Sequence, residues 1–156
     1  MSLALPLTTW TQNALADIFN ASAQAVFDKA FDHFLAKSVT ITLNDAAISR
    51  AGYKKYLEKL KFPQQKASVQ FPGLVESVDK PTHGPLETGV VGGFYEASIT
   101  QGQATGRPFG LNILTSSLIA DIDNDPTTAP NPPVTDLDAR RVFKLTLVDQ
   151  TRTIPF

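Results

Sequence analysis

The stretch at residues 34–60, FLAKSVTITLNDAAISRAGYKKYLEKL, decides the fold because its hydrophobic pattern changes twice. It begins at the end of a helical pattern, and from 38 to 43 apolar and polar residues alternate with a period of two. The β-branched residues of that segment favour a strand. After NDAAIS, helical spacing returns from Ser49 or Arg50 to about Lys61. The sequence therefore predicts a strand packed closely between two amphipathic helices.

Helices are predicted on the N-terminal side of this stretch and strands on its C-terminal side. A first helix runs from a cap at Thr8 or Thr9 to about Asn20, and a second begins at a Ser22 cap. Turn residues separate four later strand-like segments, which are 67–78, 90–100, 109–122 and 141–149. Helices followed by an antiparallel meander indicate an α+β fold rather than a βαβ fold.

The composition is that of an ordinary globular domain, and it excludes several kinds of partner. With 156 residues, of which 42% are hydrophobic and 19% charged, we predict one domain at 1–156. A net charge of −1 argues against a nucleic-acid or anionic-membrane partner, because phosphates require a concentrated basic surface. The absence of cysteine excludes disulfides, thiolate metal sites and a cysteine nucleophile. No secretory signal and no run of ~20 apolar residues is found, so we predict a cytoplasmic protein.

Both faces of the predicted strand at 109–122 carry apolar residues. They are Leu111, Ile113 and Ile119 on one face, and Leu114, Leu118 and Ile122 on the other. A sheet that is covered by helices on one side needs apolar residues only on that side. We therefore predict that the outer sheet face contacts a partner sheet, and a homodimer is the simplest such assembly.

The element order helix–helix–strand–helix–four long strands carries a resemblance, together with two loose patterns. F-x-x-F-L-A-x-S-V-T leads into the first strand, and R-A-G-Y-K-K-Y-L lies on the third helix. The chain resembles the nuclear-transport-factor-2-like (NTF2-like) superfamily, and within it the small SnoaL-like and ketosteroid-isomerase-like members. The resemblance implies three N-terminal helices packed on a curved antiparallel sheet, forming a cone with an internal pocket. Such members include isomerases, dehydratases, polyketide cyclases, epoxide hydrolases and non-catalytic binding modules, so the fold leaves the function open.

Four residues are candidates for catalysis in such a pocket. The resemblance implies a general base near the end of the first strand, where Asp45 lies, although a turn aspartate is the alternative. Asp17 shares a helical stripe with Trp10, so it is either a carboxylate at the cavity rim or an edge residue in water. His33 borders an apolar arc and is otherwise simply half-buried. The Tyr53 ring is core by default, but its buried hydroxyl requires a partner, which a water-filled cavity would provide.

The predicted ligand-binding residues are apolar or lie in apolar strands. They are Trp10, Phe31, Phe94 and Leu114 as the apolar wall, Tyr56 on the third helix, and Glu96 and Asn112 in the strands. Alternation alone leaves open whether Glu96 and Asn112 point into the cavity or to the outer surface. The two histidines, His33 and His83, lack metal-ligand spacing, so we predict neither a metal nor a cofactor.

Two functions are compatible with these residues. The leading hypothesis is a small-molecule pocket protein, specifically a cofactor-free lyase, isomerase or cyclase that transfers protons on a hydrophobic, oxygenated substrate. The alternative is a non-catalytic ligand-binding or dimerisation module. A catalytic pocket requires at least two of the polar candidates within hydrogen-bond reach inside one cavity. A scaffold would have these groups scattered outward and an interior filled with side chains.

Overall fold

The computed structural model describes residues 5–79, 86–102, 108–125 and 138–155. The helices are α1 (Leu7–Asn20), α2 (Gln24–Phe34) and α3 (Arg50–Lys61). The strands are β1 (Leu35–Leu43), β2 (Ala46–Ile48), β3 (Gln64–Asp79), β4 (Thr88–Gly102), β5 (Pro108–Asn124) and β6 (Arg140–Pro155). His83 and most of the predicted turns between the long strands lie outside the described residues. The predicted α+β class is confirmed, since the described residues form three helices and a six-stranded, mostly antiparallel sheet.

The three helices begin in different ways. Ser49 caps α3 as predicted, since its hydroxyl accepts a hydrogen bond from the backbone N–H of Gly52 at 2.9 Å. The predicted caps at Thr8 or Thr9 and at Ser22 are wrong, because the N-cap positions are Pro6 and Ala23 and neither makes a side-chain cap. The carbonyl oxygens of Pro6 and Ala23 instead accept the first backbone hydrogen bonds of their helices.

The segment between α2 and α3 contains more strand than we predict from the sequence. Leu35 already has extended backbone angles, so α2 passes directly into β1 without a connecting loop. Asn44 and Asp45 have φ values of 51° and 67°, which is the left-handed geometry of a tight hairpin turn. The predicted break NDAAIS is therefore a hairpin whose second arm is the short strand β2, with Leu43 opposite Ala46.

The sheet has the strand order β2-β1-β6-β5-β4-β3. The predicted antiparallel meander is present in β3, β4, β5 and β6, whereas β1 pairs with β6 in parallel. A bulge in β3 between Gln70 and Gly73 lies opposite Tyr95, close to Gly93 in β4. Gly93 has a φ of 153°, and a Cβ there would lie 2.2 Å from the carbonyl oxygen of Gly73, so no other residue fits.

The helices cover one face of the sheet, and aromatic side chains fill the space between them. The largest buried rings are Phe19, Phe27, Phe31, Phe34, Tyr53 and Tyr95, each at most 1% exposed. Phe27 packs edge-on against Phe62 at the end of α3, with ring centroids 5.7 Å apart. No helix in the described part of the chain is long and apolar enough to cross a membrane.

Candidate functional site

Most of the predicted pocket wall is packed core. Phe31, Tyr53 and Leu114 are at most 1% exposed, and Trp10 is 8% exposed. The Phe31 and Tyr53 rings lie 6.2 Å apart, and Tyr53 stacks on Tyr56 at 6.0 Å. The side chains that were expected to line a hollow therefore contact one another.

A polar cluster centred on Asp149 in β6 lies against this core. It was not predicted from the sequence. Tyr56 in α3 donates a hydrogen bond to Asp149 Oδ2 at 3.0 Å, and Ser116 in β5 donates to Oδ1 at 2.5 Å. Asn44, in the β1–β2 turn, accepts from the Asp149 backbone N–H at 2.8 Å. Burial raises the pKa of the Asp149 carboxyl, while the hydrogen bonds from Ser116 and Tyr56 oppose that shift.

Tyr95 in β4 reaches the same cluster from the sheet. Its side chain is 1% exposed, and burial raises the pKa of its hydroxyl. Ser116 and Tyr53 both lower the pKa of this hydroxyl, which shows that they lie near it. The hydroxyl nevertheless makes no well-formed hydrogen bond to any described residue. The cluster therefore contains one satisfied carboxylate and one unsatisfied buried hydroxyl.

Asp149 carried a sequence signal that was overlooked. It follows Leu145 and Leu147 at a period of two, and both leucines are 1–2% exposed. A carboxylate that continues the apolar face of a strand lies against the core by alternation alone. Asp45, by contrast, is exposed in the hairpin turn, which is the alternative that the sequence left open.

Three predicted residues meet in a groove between α1 and α2. Trp10 and Asp17 from α1 and His33 from α2 line it together with Lys29 and Arg141, and its volume is about 480 Å³. Burial lowers the pKa of the His33 imidazole, and the positive charges of Arg141 and Lys29 lower it further. Asp17 and His33 are both exposed and no hydrogen bond joins them.

Two strand residues face outward. Phe94 is 59% exposed and Glu96 is exposed, because Tyr95 between them takes the inward position. The predicted place of Phe94 in an internal wall is thus wrong, since alternation gives opposite faces to neighbours without saying which one is buried. Asn112 points inward, where it donates to the Leu60 carbonyl oxygen at 3.0 Å and accepts from Thr153 at 2.8 Å.

The outer face of the sheet carries a contiguous apolar surface, here called the outer patch. Its members and their exposed fractions are Val75 (73%), Phe94 (59%), Ile119 (53%) and Val148 (64%). A shallow depression of about 530 Å³ lies beside Phe94, and its lining includes Gly73, Gly92 and Gly93. Within the described ranges, no group of three or more His, Asp or Glu side chains is placed to hold a metal ion.

Comparisons with known proteins bear on the fold. No protein-family model matches the chain, and no curated protein matches it. A chain of the Candida albicans Mtr2–Mex67 M domain complex is 14% identical with a TM-score of 0.55, over 96% of both chains. Candida albicans Mtr2 is 13% identical with a TM-score of 0.55, over 92% of this chain and 93% of that one.

A third structure, an NTF-2-like protein of unknown function from Pseudomonas aeruginosa, is 11% identical with a TM-score of 0.43, over 92% of this chain and 94% of that one. The two Mtr2 comparisons and the observed element order confirm the predicted NTF2-like fold. At these identities the similarity concerns the fold alone.

Proposed function

We propose that this protein is a pairing module that binds a second copy of itself through the outer patch, with its interior serving as structural core. The observation that carries the proposal is the contiguous set of large apolar side chains in the middle of the outer sheet face. A surface of this kind, rimmed by polar residues, is typical of a protein interface.

The strand register places the outer patch in two adjacent rows. In the first row, Val75 in β3 and Ile119 in β5 flank Gly92 in β4. In the second row, Ser117 in β5 lies between Phe94 in β4 and Val148 in β6. Strands lie about 4.8 Å apart and outward residues about 6.8 Å apart, so two rows across β3–β6 cover roughly 260 Å². The outer patch therefore forms the apolar centre of the proposed interface, and the polar outward positions around it supply the rest of the ~800 Å² that each partner contributes to a standard interface.

The outer patch contains both a projecting side chain and a hollow. Phe94 projects next to the depression, where Gly73 and Gly92 have no side chains to fill the space. In a two-fold dimer the same surface meets itself, so a projection and a hollow side by side can fit each other twice. An aromatic anchor that enters a pocket is also the commonest kind of interface hot spot.

The charges around the outer patch also suit a second copy. Glu96 and Asp121 carry negative charge, Lys144 and Arg152 carry positive charge, and all four lie on outward positions of β4–β6. Because both signs are present and the net charge of the chain is −1, two copies repel each other little. The similarity to a chain from the Mtr2–Mex67 M domain complex supports partner binding by proteins of this fold.

The positions of the predicted catalytic residues favour this function over catalysis. Asp17, His33 and Asp45 are exposed, and no hydrogen bond joins any two of them. Tyr53 lies in the aromatic core. The arrangement therefore matches the scaffold alternative, in which polar groups are dispersed and the interior is filled.

The test compares two charge insertions at equally exposed apolar sites. Phe94→Glu places a carboxylate in the outer patch, and Val26→Glu, at 56% exposure on α2, is the matched control. We expect the wild type and Val26→Glu to be dimers by light scattering, and Phe94→Glu to dissociate about 100-fold more readily, because it buries unpaired charge. Matching far-ultraviolet circular dichroism spectra would show intact folds. A dimer that persists in Phe94→Glu would overturn the proposal.

A second candidate function is proton transfer on a small oxygenated molecule, as a cofactor-free lyase, isomerase or cyclase. The observation in its favour is the raised pKa of Asp149 beside the hydroxyls of Tyr56 and Ser116. In this proposal the Asp149 carboxylate removes a proton next to a carbonyl group and returns it to another carbon. Isomerisation of cyclohex-3-en-1-one to the conjugated ketone tests it, and Asp149→Asn should reduce the rate at least about 100-fold. A wild-type rate equal to that in buffer would rule it out.

A further inference from the structure

The groove between α1 and α2 combines apolar side chains with two cations, Lys29 and Arg141, that form no ion pair with a described carboxylate. Its apolar lining includes Trp10, Ala14 and Ala30, and it also contains two carboxylates, of which Asp138 pairs with Arg140. We propose that this groove binds an amphipathic monoanion, namely a small carboxylate with an apolar body. The proposal concerns a different surface from the outer patch and does not depend on pairing.

Arg141 supplies the strongest indication that an anion belongs there. Its side chain is buried, with the residue 7% exposed. Its side-chain hydrogen bonds to described residues all go to backbone carbonyl oxygens, those of Asp32 at 3.0 Å, Asp138 at 3.2 Å and Arg140 at 2.7 Å. Carbonyl oxygens orient a guanidinium without neutralising it, and a buried cation is costly unless an anion pairs with it.

The nearest carboxylates are not ion-paired with Arg141 within the described ranges. Asp138 instead forms a two-point contact with Arg140, at 2.8 Å and 3.1 Å. Asp32 pairs with Arg50 at 2.9 Å. The negative charges of Asp138, Asp125 and Asp32 raise the pKa of Arg141, although burial has the larger effect and lowers it. A carboxylate ligand would provide the charge that these residues direct elsewhere.

Lys29 is the second cation of the groove, and the His33 imidazole, neutral at pH 7 because its pKa is lowered, lies beside it. They are four residues apart on α2 and therefore neighbours on one helix face. No described carboxylate forms an ion pair with Lys29. The positive charges of Lys29 and Arg141 both lower the pKa of His33, which shows that the three groups share one electrostatic environment.

Asp17 limits which anions fit. It lines the same groove from α1 and is close enough to His33 to oppose the pKa shift that the cations cause. A carboxylate in the groove repels a second negative charge on the ligand, so a monoanion is favoured over a dianion or a phosphate. The apolar lining, which includes Trp10, then accommodates the hydrocarbon part of the ligand.

A neighbouring groove provides the control. It shares His33 and Arg141 with the first groove but is lined by Lys37 in place of Lys29. Loss of Lys37 should therefore leave ligand binding unchanged if the proposed groove is the site.

The only tryptophan in the sequence is Trp10, so intrinsic fluorescence reports directly on this groove. Octanoate, octanol and octylammonium, which share one hydrocarbon chain, are titrated below the concentrations at which they aggregate. We expect octanoate to cause a saturable change in emission and to bind at least about fivefold more tightly than octanol, with no binding of octylammonium. Lys29→Gln should weaken octanoate binding about fivefold, the upper range for an exposed ion pair. Asp17→Asn should strengthen it, and Lys37→Gln should leave it within about twofold.

Three results would overturn the proposal. One is the absence of a saturable change with octanoate. Another is equal affinity for octanol and octanoate, which would make the groove merely apolar. The third is a loss of affinity in Lys37→Gln as large as that in Lys29→Gln, which would place the ligand in the neighbouring groove.

Discussion

Tyr56 and Tyr95 show how two hydroxyls in one cluster differ energetically. The Tyr56 hydroxyl donates to Asp149, whereas the Tyr95 hydroxyl is buried with no partner among the described residues. We predict that Tyr56→Phe lowers the free energy of unfolding by about 1–3 kcal/mol, because it leaves a buried carboxylate less satisfied. Tyr95→Phe should not lower it, since the lost group makes no hydrogen bond. Urea unfolding of both variants checks this, and equal losses would contradict it.

Asp149 predicts an unusual dependence of stability on pH. Its folded-state pKa is raised above 3.8 by burial, so on raising the pH the unfolded chain loses this proton first. The contribution of Asp149 to the unfolding free energy should therefore fall as the pH rises from 3.8 to the folded pKa, and then stay constant. Asp149→Asn removes this fall, so the variant should gain on the wild type across that window. If the unfolding free energies of the two proteins changed in parallel with pH, the raised pKa of Asp149 would be refuted.

At the scale of single residues, the sequence showed which side chains alternate along a strand but not which face of the sheet each one occupies. The alternation that separates Phe94 from Tyr95 was visible, but only the packing of helices on one face decides which of them is buried. Trp10, Asp17 and His33 were predicted to line an internal pocket and instead line a groove between α1 and α2. Trp10 and Asp17 share a helical stripe of α1, whereas the packing of α1 and α2 brings His33 to the same groove.

The start of α3 depends on one side-chain contact. Ser49 accepts a hydrogen bond from the Gly52 N–H, whereas Ser22 makes no cap at the start of α2. We predict that Ser49→Ala costs about 1 kcal/mol of stability, the usual value for a lost cap. Ser22→Ala is the matched control and should change the thermal midpoint little. A similar loss in both variants would show that the cap contributes nothing specific.

The end of α3 is joined to the end of α1 by Lys61. The Lys61 ammonium group is fully buried and donates to the carbonyl oxygens of Phe19 at 2.8 Å and Ala21 at 3.0 Å. Lys61→Met leaves both acceptors unpaired, so we predict a loss of about 2 kcal/mol at neutral pH. The exposed Lys59→Met is the control.

Lys61 also has a pH signature. Burial lowers its pKa from 10.5 to about 8, despite the oxygen acceptors around it. Between these values the unfolded chain holds a proton that the folded chain has released, so wild-type stability should rise with pH relative to Lys61→Met. Chemical unfolding at pH 7, 8, 9 and 10 measures this difference. A constant difference over that range would contradict the lowered pKa.

At the scale of elements, helix positions followed from periodicity, while strand ends did not. All three helices lie within a few residues of their predicted bounds, because each has a clear apolar stripe. β6 continues to Pro155, beyond the predicted end at 149, since pairing with β5 extends a polar segment that has no strand pattern of its own. The parallel pairing of β1 with β6 is a long-range contact that no local pattern encodes.

At the scale of the whole molecule, the fold was predictable and the function was open. Element order and two loose sequence patterns led to the NTF2-like fold, and the comparisons confirm it. The choice between a pocket and a scaffold depends on how completely side chains fill the interior, which is a property of packing in three dimensions. The apolar outer strand positions already indicated a partner, and the outer patch gives that indication a location.

The most direct test of the account is the mass of the wild-type protein in solution, measured by sedimentation equilibrium over a range of concentrations. Pairing through the outer patch predicts about 34 kDa, twice the 16.9 kDa of the chain, with dissociation on dilution. A mass that stays at 16.9 kDa at every concentration would contradict the proposed pairing.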